Sequence, residues 1–446
     1  MSGLAIRGVV EGFYGRPWTV RQRHDMLAFI AELGMNAYVY SPKDDPYTRR
    51  RWREPYPDAE AAELRELAAV AREAGVALWY GVSPGLSMRY SEPADIEAVH
   101  AKLAGVRALG ATDAALFLDD IPGRLQHPRD VAAFPDLVAA QLHLVRQVEQ
   151  RLAAEAVDAR FAVCPTDYWG HGDEPYIRAL GSGLADGTEM FWTGRAICSP
   201  ELTAREAELF ARSTGRRPLY WDNFPVNDVA MTHELHIGPY LGRDPGLAEA
   251  AAGIVANPMP LAEASKIGIA SVADFCRDPH AFDVEASWEA ALRRVAGSRD
   301  AEPFREFADA VRGSALCTDD APRLAARLER FAFDYQFGAP ADAVADLRLH
   351  LAHLSGVAER MGRLENRALA GEIAPWVAQY ARGVEAVDAA VAALEPNAAG
   401  EPPQLHGSAR DAVAARLEGL RAARLRVFGD LVDMFLSDLI GEFSPR

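Results

Sequence analysis

Leu116-Phe117-Leu118-Asp119-Asp120-Ile121-Pro122 decides the fold of this chain. Apolar residues from Ala115 to Leu118 run straight into two adjacent carboxylates, and Pro122 and Gly123 follow. An apolar run of this length closed by turn formers predicts a buried strand. Two acids do not belong in the wall of a core, so they belong at its C-terminal mouth. Barrels and open α/β sheets place their chemistry there. Adjacent side chains of a regular strand point to opposite faces. Asp119 and Asp120 therefore share one pocket only if the backbone is already turning, which Ile121-Pro122-Gly123 favours. The alternative is a strand-end pair that caps the next helix.

Similar strand signals occur on either side. They cover Ile6 to Val10, Asn36 to Tyr40, Val76 to Tyr80, Phe161 to Cys164, Thr188 to Trp192, Pro218 to Trp221 and Gly253 to Ala256. Between them lie helical stretches: Thr19, as a cap, through Leu33; Asp58 to Ala74; Pro93 to Leu109; Pro128 to about Glu155; and one from Thr203. Gly34, Gly75 and Gly110 close the first three. Strand, polar loop, helix and glycine repeat, which predicts a parallel sheet with helices outside. With Ala114 to Leu118 the strands number eight, the count of a (β/α)8 TIM barrel, expected over residues 1–260. An open doubly wound sheet is the runner-up. It calls for a phosphate-binding glycine loop after the first strand, and Gly12 to Gly15 does not fit one.

Beyond about Leu261 the strand signals stop, and residues 261–446 read as an all-α helical bundle domain. Helices are expected over Phe282 to Val295, Pro303 to Leu316, Leu324 to Tyr335, Ala341 to Leu364 and Ile373 to Ala393. A Pro/Gly-rich break, Pro396 to Gly407, precedes one long helix from Ser408 to Leu439. Val427, Leu431, Phe435 and Leu439 recur on one face of it, as core or as interface. The role expected of this half is structural; a homodimer surface or one wall of a substrate groove is the alternative.

The formal net charge of −17 argues against a nucleic-acid partner. Cys164, Cys198, Cys276 and Cys317 are scattered, with no CxxC pair and no disulfide framework. No basic-then-apolar leader opens the sequence, and no run reaches the length of a membrane span. A soluble cytoplasmic protein that does not bind membranes is the expectation.

The residues just past each strand form a ring of acids, amides, one lysine and aromatics. It runs through Gly12 to Gly15, Lys43-Asp44-Asp45, Ser83, Asp119-Asp120, Asp167-Tyr168-Trp169, Trp192, Trp221-Asp222-Asn223, Asp228 and Asn257. Aromatic planes suit the faces of sugars, and carboxylates and amides suit their hydroxyls. Asp119, Asp120 and Asp228 would be the donors of a divalent cation, but the histidines show no zinc pattern such as HExxH, and no metal is expected. No GxSxG elbow is present. Two acids are the usual tools of glycoside hydrolysis, yet neighbours in sequence do not easily straddle a sugar ring. An N-acetyl sugar resolves this, because its own 2-acetamido oxygen can attack C1 and form an oxazoline. One Asp then orients the acetamide N–H; the other protonates the leaving oxygen and later activates water. Two close carboxylates are also expected to raise the pKa of whichever carries the proton.

The ordered motifs resemble the glycoside hydrolase family 84 enzymes, the O-GlcNAcases and related bacterial β-N-acetylglucosaminidases once called hyaluronidases. The resemblance rests on Arg7 to Trp18 (RGVVEGFYGRPW), Ser41 to Tyr47 (SPKDDPY), Trp52 to Tyr56, Ser83-Pro84-Gly85, Asp119-Asp120-Ile121 and Pro165 to Tyr168. Trp221-Asp222-Asn223, Asn227-Asp228 and Asn257-Pro258-Met259 complete it, in order across roughly residues 5–290. It implies that Asp119 holds the acetamido nitrogen and that Asp120 is the general acid/base. Tyr168 would hydrogen-bond near the acetamido oxygen, Trp221 would wall the acetamide pocket, and Asn223 would support that end. The Gly12 carbonyl and Lys43 would bind hydroxyls near O3, Asp228 would take O4 and O6, and Asn257 would add a contact on that edge. The implied activity is retaining exo-cleavage of terminal β-linked GlcNAc from proteins or glycans, with no cofactor. An endo-acting hyaluronidase-like enzyme and a non-catalytic GlcNAc-binding protein are the alternatives.

Overall fold

The computed structural model describes residues 3–155, 159–394 and 401–441. Residues 396–400 of the expected Pro/Gly-rich break lie outside them, as do the first two residues of the chain. The chain forms two compact units, Met1–Asp228 with Tyr240–Ser287, and Val229–Pro239 with Trp288–Arg446.

In the first unit eight parallel strands close into a barrel in sequence order. They are β1 (Ile6–Glu11), β2 (Ala37–Tyr40), β3 (Ala77–Val82), β4 (Asp113–Phe117), β5 (Phe161–Cys164), β6 (Thr188–Trp192), β7 (Pro218–Asp222) and β8 (Gly253–Ala256). β1 pairs with both β2 and β8, so no edge is left open. The (β/α)8 barrel expected from the strand rhythm is the observed fold.

Each strand sends alternate residues into one buried cluster: Val10 from β1, Val39 from β2, Ala115 and Phe117 from β4, Leu219 and Trp221 from β7, Val255 from β8. That parity continues past the strand ends. Gly12, Lys43, Asp119 and Asn257 each lie an even number of residues beyond an inward-facing neighbour, so they point over the mouth. Glu11 and Asp222 have the opposite parity and face the surrounding helices and loops.

The helix Val20–Glu32 begins where Thr19 accepts from Gln22 N and Gln22 Oε1 accepts from Thr19 N, a reciprocal capping box. The helix expected from Pro128 to Glu155 is two, Pro128–Ala133 and Leu137–Ala154. Pro135 interrupts the turn, and Asp136 caps the second piece by accepting from Ala139 N at 2.8 Å. Two helices that were not foreseen, Pro175–Gly183 and Ala262–Arg277, also belong to this unit.

The second unit is helical, with Pro322–Phe337, Pro340–Met361 and Arg367–Ala392 as its longer members. The single helix expected from Ser408 to Leu439 is two, Gly407–Ala422 and Leu431–Leu439. Arg424, Phe428 and Gly429 between them take positive φ values of 59°, 62° and 53°, which no continuing α-helix allows. The stripe through Val427 therefore does not exist as one helical face. Val432, Leu436 and Leu439 form the buried side of the last helix, and the Phe428 ring packs on Tyr380 at 4.9 Å.

Candidate active site

The ring of residues converges on Lys43. β2 delivers it inward, and its ammonium contacts the carboxylate of Asp119 and lies 3.4 Å from Asp120 Oδ2. Lys43 and Asp119 are 9% and 7% exposed, so this is a buried ion pair. Lys43 pairs with neither Asp44 nor Asp45. Asp44 is exposed, and Asp45 instead accepts from the hydroxyls of Tyr40 (2.7 Å) and Tyr56 (2.8 Å) and from Tyr47 N (2.7 Å). These bonds fold the 41–56 loop into the shape that aims Lys43 at the acids.

Asp119 continues the inward parity of β4. Asp120 has the wrong parity, and the backbone corrects it: its φ is +54°, the left-handed region that Asp tolerates better than most residues. That single turn brings the second carboxylate onto the same ammonium. Asp120 Oδ2 accepts from the Tyr14 hydroxyl at 2.6 Å, and Oδ1 from the Tyr168 hydroxyl at 3.1 Å. Arg49 Nη1 donates in turn to the Tyr14 oxygen at 2.8 Å. Asp119 Oδ1 is buried without a hydrogen-bond donor.

The electrostatics differ from the expectation of a raised acid. Burial pushes the Asp120 carboxyl up, but Lys43 and the Tyr14 and Tyr168 hydroxyls outweigh it and hold Asp120 below the ordinary carboxylate range. The repulsion expected from a neighbouring acid is answered by the ammonium between them. Burial likewise opposes the charge on Lys43, yet Asp119 and Asp120 hold its pKa above that of an ordinary lysine. Burial raises the Asp228 carboxyl, against a hydrogen bond from Tyr14 N at 2.6 Å.

Trp221 forms the floor. Its ring packs edge-on against Phe117 (5.2 Å) and Phe191 (5.8 Å), two inward residues of the barrel core. A Cβ on Gly12 would stand 2.3 Å from Trp221 Cζ2, so only glycine lets β1 pass this ring. Asn223 Oδ1 accepts from Trp221 Nε1 at 3.0 Å and from Asn257 Nδ2 at 2.9 Å. The Asn223 amide donates to the Ile197 carbonyl at 2.7 Å. Gly12, Lys43, Asp119, Asp120, Tyr168, Trp221, Asn223, Asp228 and Asn257 are thus all at the C-terminal end of the barrel, linked directly or through Tyr14.

Some ring members lie elsewhere. Trp192 is fully buried and stacks on Phe210 at 4.9 Å, outside the strands. Asp222 is held by two bonds from Arg243 and accepts from Tyr240 at 2.6 Å. Glu11, just before the ring, likewise faces away and takes Arg23 through bonds of 2.8 and 2.9 Å and the Tyr38 hydroxyl at 2.6 Å. These are anchors for the loops that follow. Arg49 was not foreseen as a site residue, and Tyr14 stood in the ring without a role. Tyr14 lay in a quoted motif, but nothing local tells a site-facing phenol from a packed one. Arg49 begins a run of three arginines that gives it no distinction. Among the described residues, no cluster of three His, Cys, Asp or Glu side chains is arranged to hold a metal ion.

A family model for beta-N-acetylglucosaminidase matches residues 7–309. The Protein O-GlcNAcases of Rattus norvegicus and Mus musculus are each 35% identical to this chain over 272 residues, 60% of this chain and 29% of theirs. The chain therefore spans less than a third of the length of these curated relatives. A solved mutant of the Thermobaculum terrenum O-GlcNAc hydrolase matches with a TM-score of 0.92 at 30% identity, covering 98% of this chain and 94% of that one. With that model matched over more than half of its length, the chain belongs to the beta-N-acetylglucosaminidase family, the family 84 glycoside hydrolases.

Proposed function

We propose that this protein is a retaining exo-β-N-acetylglucosaminidase that removes terminal β-linked GlcNAc from Ser or Thr of proteins, or from small glycans. The supporting observation is the turn at Asp120, which brings two sequence-adjacent carboxylates onto a single lysine ammonium. A pair so placed does not flank a glycosidic bond as nucleophile and acid would. It suits division of labour around an acetamide that attacks C1 itself.

Asp119, with its donorless Oδ1, accepts the acetamide N–H and supports the positive charge that develops as the oxazoline forms. Asp120 gives its proton to the leaving oxygen and then takes one from water. Tyr168 reaches the acetamido oxygen, Trp221 walls the methyl end, and Asn223 fixes the Trp221 indole. Lys43, the Gly12 carbonyl, Asp228 and Asn257 bind sugar hydroxyls; Asn257 Oδ1 is buried without a donor and suits one of them.

An aryl β-GlcNAc glycoside should be cleaved with β-GlcNAc as the first product by NMR. Cleavage of polymeric hyaluronan without release from the aryl glycoside would support the endo reading. Binding without turnover would support a carbohydrate-binding protein. A cytoplasmic location fits the buried thiols of Cys164, Cys276 and Cys317, which a reducing compartment keeps reduced; cell fractionation tests it. Among the described residues no helix is long and apolar enough to cross a membrane. A homodimer through the helical half is supported by the exposed pair Phe333 and Phe337, whose rings lie 5.3 Å apart, and molecular mass in solution tests it.

A further inference from the structure

The ladder between β4 and β5 ends in an irregular rung. Leu118 N donates to Cys164 O at 2.9 Å. In a parallel pair the next bond along runs from Thr166 N to Leu118 O. The Thr166 hydroxyl takes that place, donating to Leu118 O at 2.8 Å. Thr166 N turns aside and donates to the Tyr176 hydroxyl at 2.9 Å. One more side chain closes the loop. Tyr176, on the helix Pro175–Gly183, donates to Gln141 Oε1 at 2.6 Å. Gln141, on the helix Leu137–Ala154, donates from Nε2 to Thr166 Oγ1 at 2.8 Å. The proton directions follow in sequence. The phenol accepts from Thr166 N and gives its own proton to Gln141; the threonine hydroxyl accepts from the Gln141 amide and gives its own to Leu118. Gln141 is 0% and Thr166 8% exposed, so these polar groups depend on one another.

We propose that Thr166 is a positioning residue for the two central acids, with Gln141 and Tyr176 holding it from outside the barrel; the proposal rests on the hydrolase reading. The Leu118 carbonyl belongs to the peptide that leads into Asp119, just before the left-handed turn at Asp120. The Thr166 hydroxyl fixes the plane of that peptide where the main-chain ladder has stopped. It thereby sets the direction in which both carboxylates leave β4 for the Lys43 ammonium. Replacing main chain by side chain has a second effect. The β5 chain bends at Thr166 and Asp167, and the Tyr168 hydroxyl reaches Asp120 Oδ1 at 3.1 Å. One hydroxyl therefore governs both the acids and a donor to one of them. Catalytic groups need placement within about 0.5 Å, and a misplacement of about 1 Å costs about a hundredfold in rate.

The test compares Thr166→Val with Thr166→Ser, by kcat and KM on aryl β-GlcNAc glycosides of graded leaving-group acidity and by urea unfolding. The first variant keeps the shape and removes the hydroxyl; the second keeps the hydroxyl. Thr166→Val should lose about 10–100-fold in kcat. KM should hardly change, because the contacts proposed for Gly12, Asp228 and Asn257 follow other strands. The loss should grow as the leaving group worsens, since a displaced Asp120 protonates it poorly. Thr166→Ser should recover most of kcat. A merely structural hydroxyl would lower the unfolding midpoint and leave kcat and its leaving-group dependence unchanged. That result, or Thr166→Ser as slow as Thr166→Val, would overturn the proposal. If Thr166→Val does not fold, Tyr176→Phe decides, because it removes the phenol that orients Gln141 and Thr166. It should show the same leaving-group-dependent loss in smaller measure, and wild-type kinetics in it would overturn the proposal. A wild-type protein inactive on all these glycosides would overturn the hydrolase reading and this proposal with it, whereas an active wild type beside an unchanged variant overturns the proposal alone.

Discussion

The Tyr14 hydroxyl donates to Asp120 Oδ2 at 2.6 Å, and the Arg49 guanidinium donates to that same hydroxyl at 2.8 Å. Arg49 thus reaches Asp120 through a phenol, making Tyr14 a stronger donor and favouring ionised Asp120. Proton donation to the leaving oxygen requires the protonated form. A carboxyl held below its ordinary range loses that proton early as pH rises, so the alkaline limb of kcat/KM lies on the acid side. Tyr168→Phe removes one donor to the charged form and should move that limb up by roughly one pH unit. Arg49→Met should move it the same way by less. Limbs unmoved in both variants would remove Asp120 as the group being titrated.

The two central acids should separate by leaving group. Asp120→Ala should lose about 10²–10⁴-fold on an alkyl or peptide Ser/Thr glycoside and far less on an activated aryl glycoside. Asp119→Ala should lose about 10²–10³-fold on both, because an acetamide cannot be oriented without it. Steady-state kinetics on matched substrates decides. Identical leaving-group dependence would cancel the assignment of roles, and a sugar ester trapped on either Asp would cancel substrate assistance.

Gly12→Ala tests the close passage of β1 over Trp221. A methyl 2.3 Å from Cζ2 must displace the indole or the strand, costing about 1–3 kcal/mol in stability. KM for the aryl glycoside should rise, because the displaced ring is the proposed wall of the acetamide pocket. Urea unfolding and kinetics on one preparation separate the two effects.

Asp222→Ala leaves the Arg243 guanidinium buried with no carboxylate, at 1% side-chain exposure. It should destabilise the fold by about 3–5 kcal/mol, a loss that chemical denaturation measures directly. Asp228→Ala, at a proposed sugar contact, should raise KM with little change in unfolding midpoint.

The Asp119–Asp120 pair meets a lysine ammonium, so the proposed chemistry needs no divalent ion. Activity on the aryl glycoside should survive excess chelator unchanged. A loss reversed by one divalent ion would require a different mechanism.

Period-two alternation made much of the site legible. Counting from Val10, Val39, Phe117, Leu219 and Val255 places Gly12, Lys43, Asp119, Trp221 and Asn257 over the mouth, and Glu11 and Asp222 away from it. The same count would have removed Trp192, which follows the inward Phe191 by one residue. Asp120 breaks the count through one backbone torsion, and Tyr14 through a loop whose course depends on Trp18, Arg23 and Tyr38 gathering on Glu11. Those contacts span up to 27 residues, beyond any local pattern. The break in the last long helix was hidden because Arg424 and Phe428, both ordinary helix residues, take positive φ there.

The positive φ at Asp120 narrows what can replace it. Backbone and reaction chemistry each restrict this position, and they restrict it differently. The torsion admits Gly, Asn and Asp most readily, whereas the proposed proton transfer admits a carboxylic acid. Their intersection is Asp. Glutamate carries the same function but suits this torsion less, and Asn suits the torsion but has no acid. Replacement of Asp120 should therefore be costly on either count, because the nearest substitutions each satisfy only one of two independent demands.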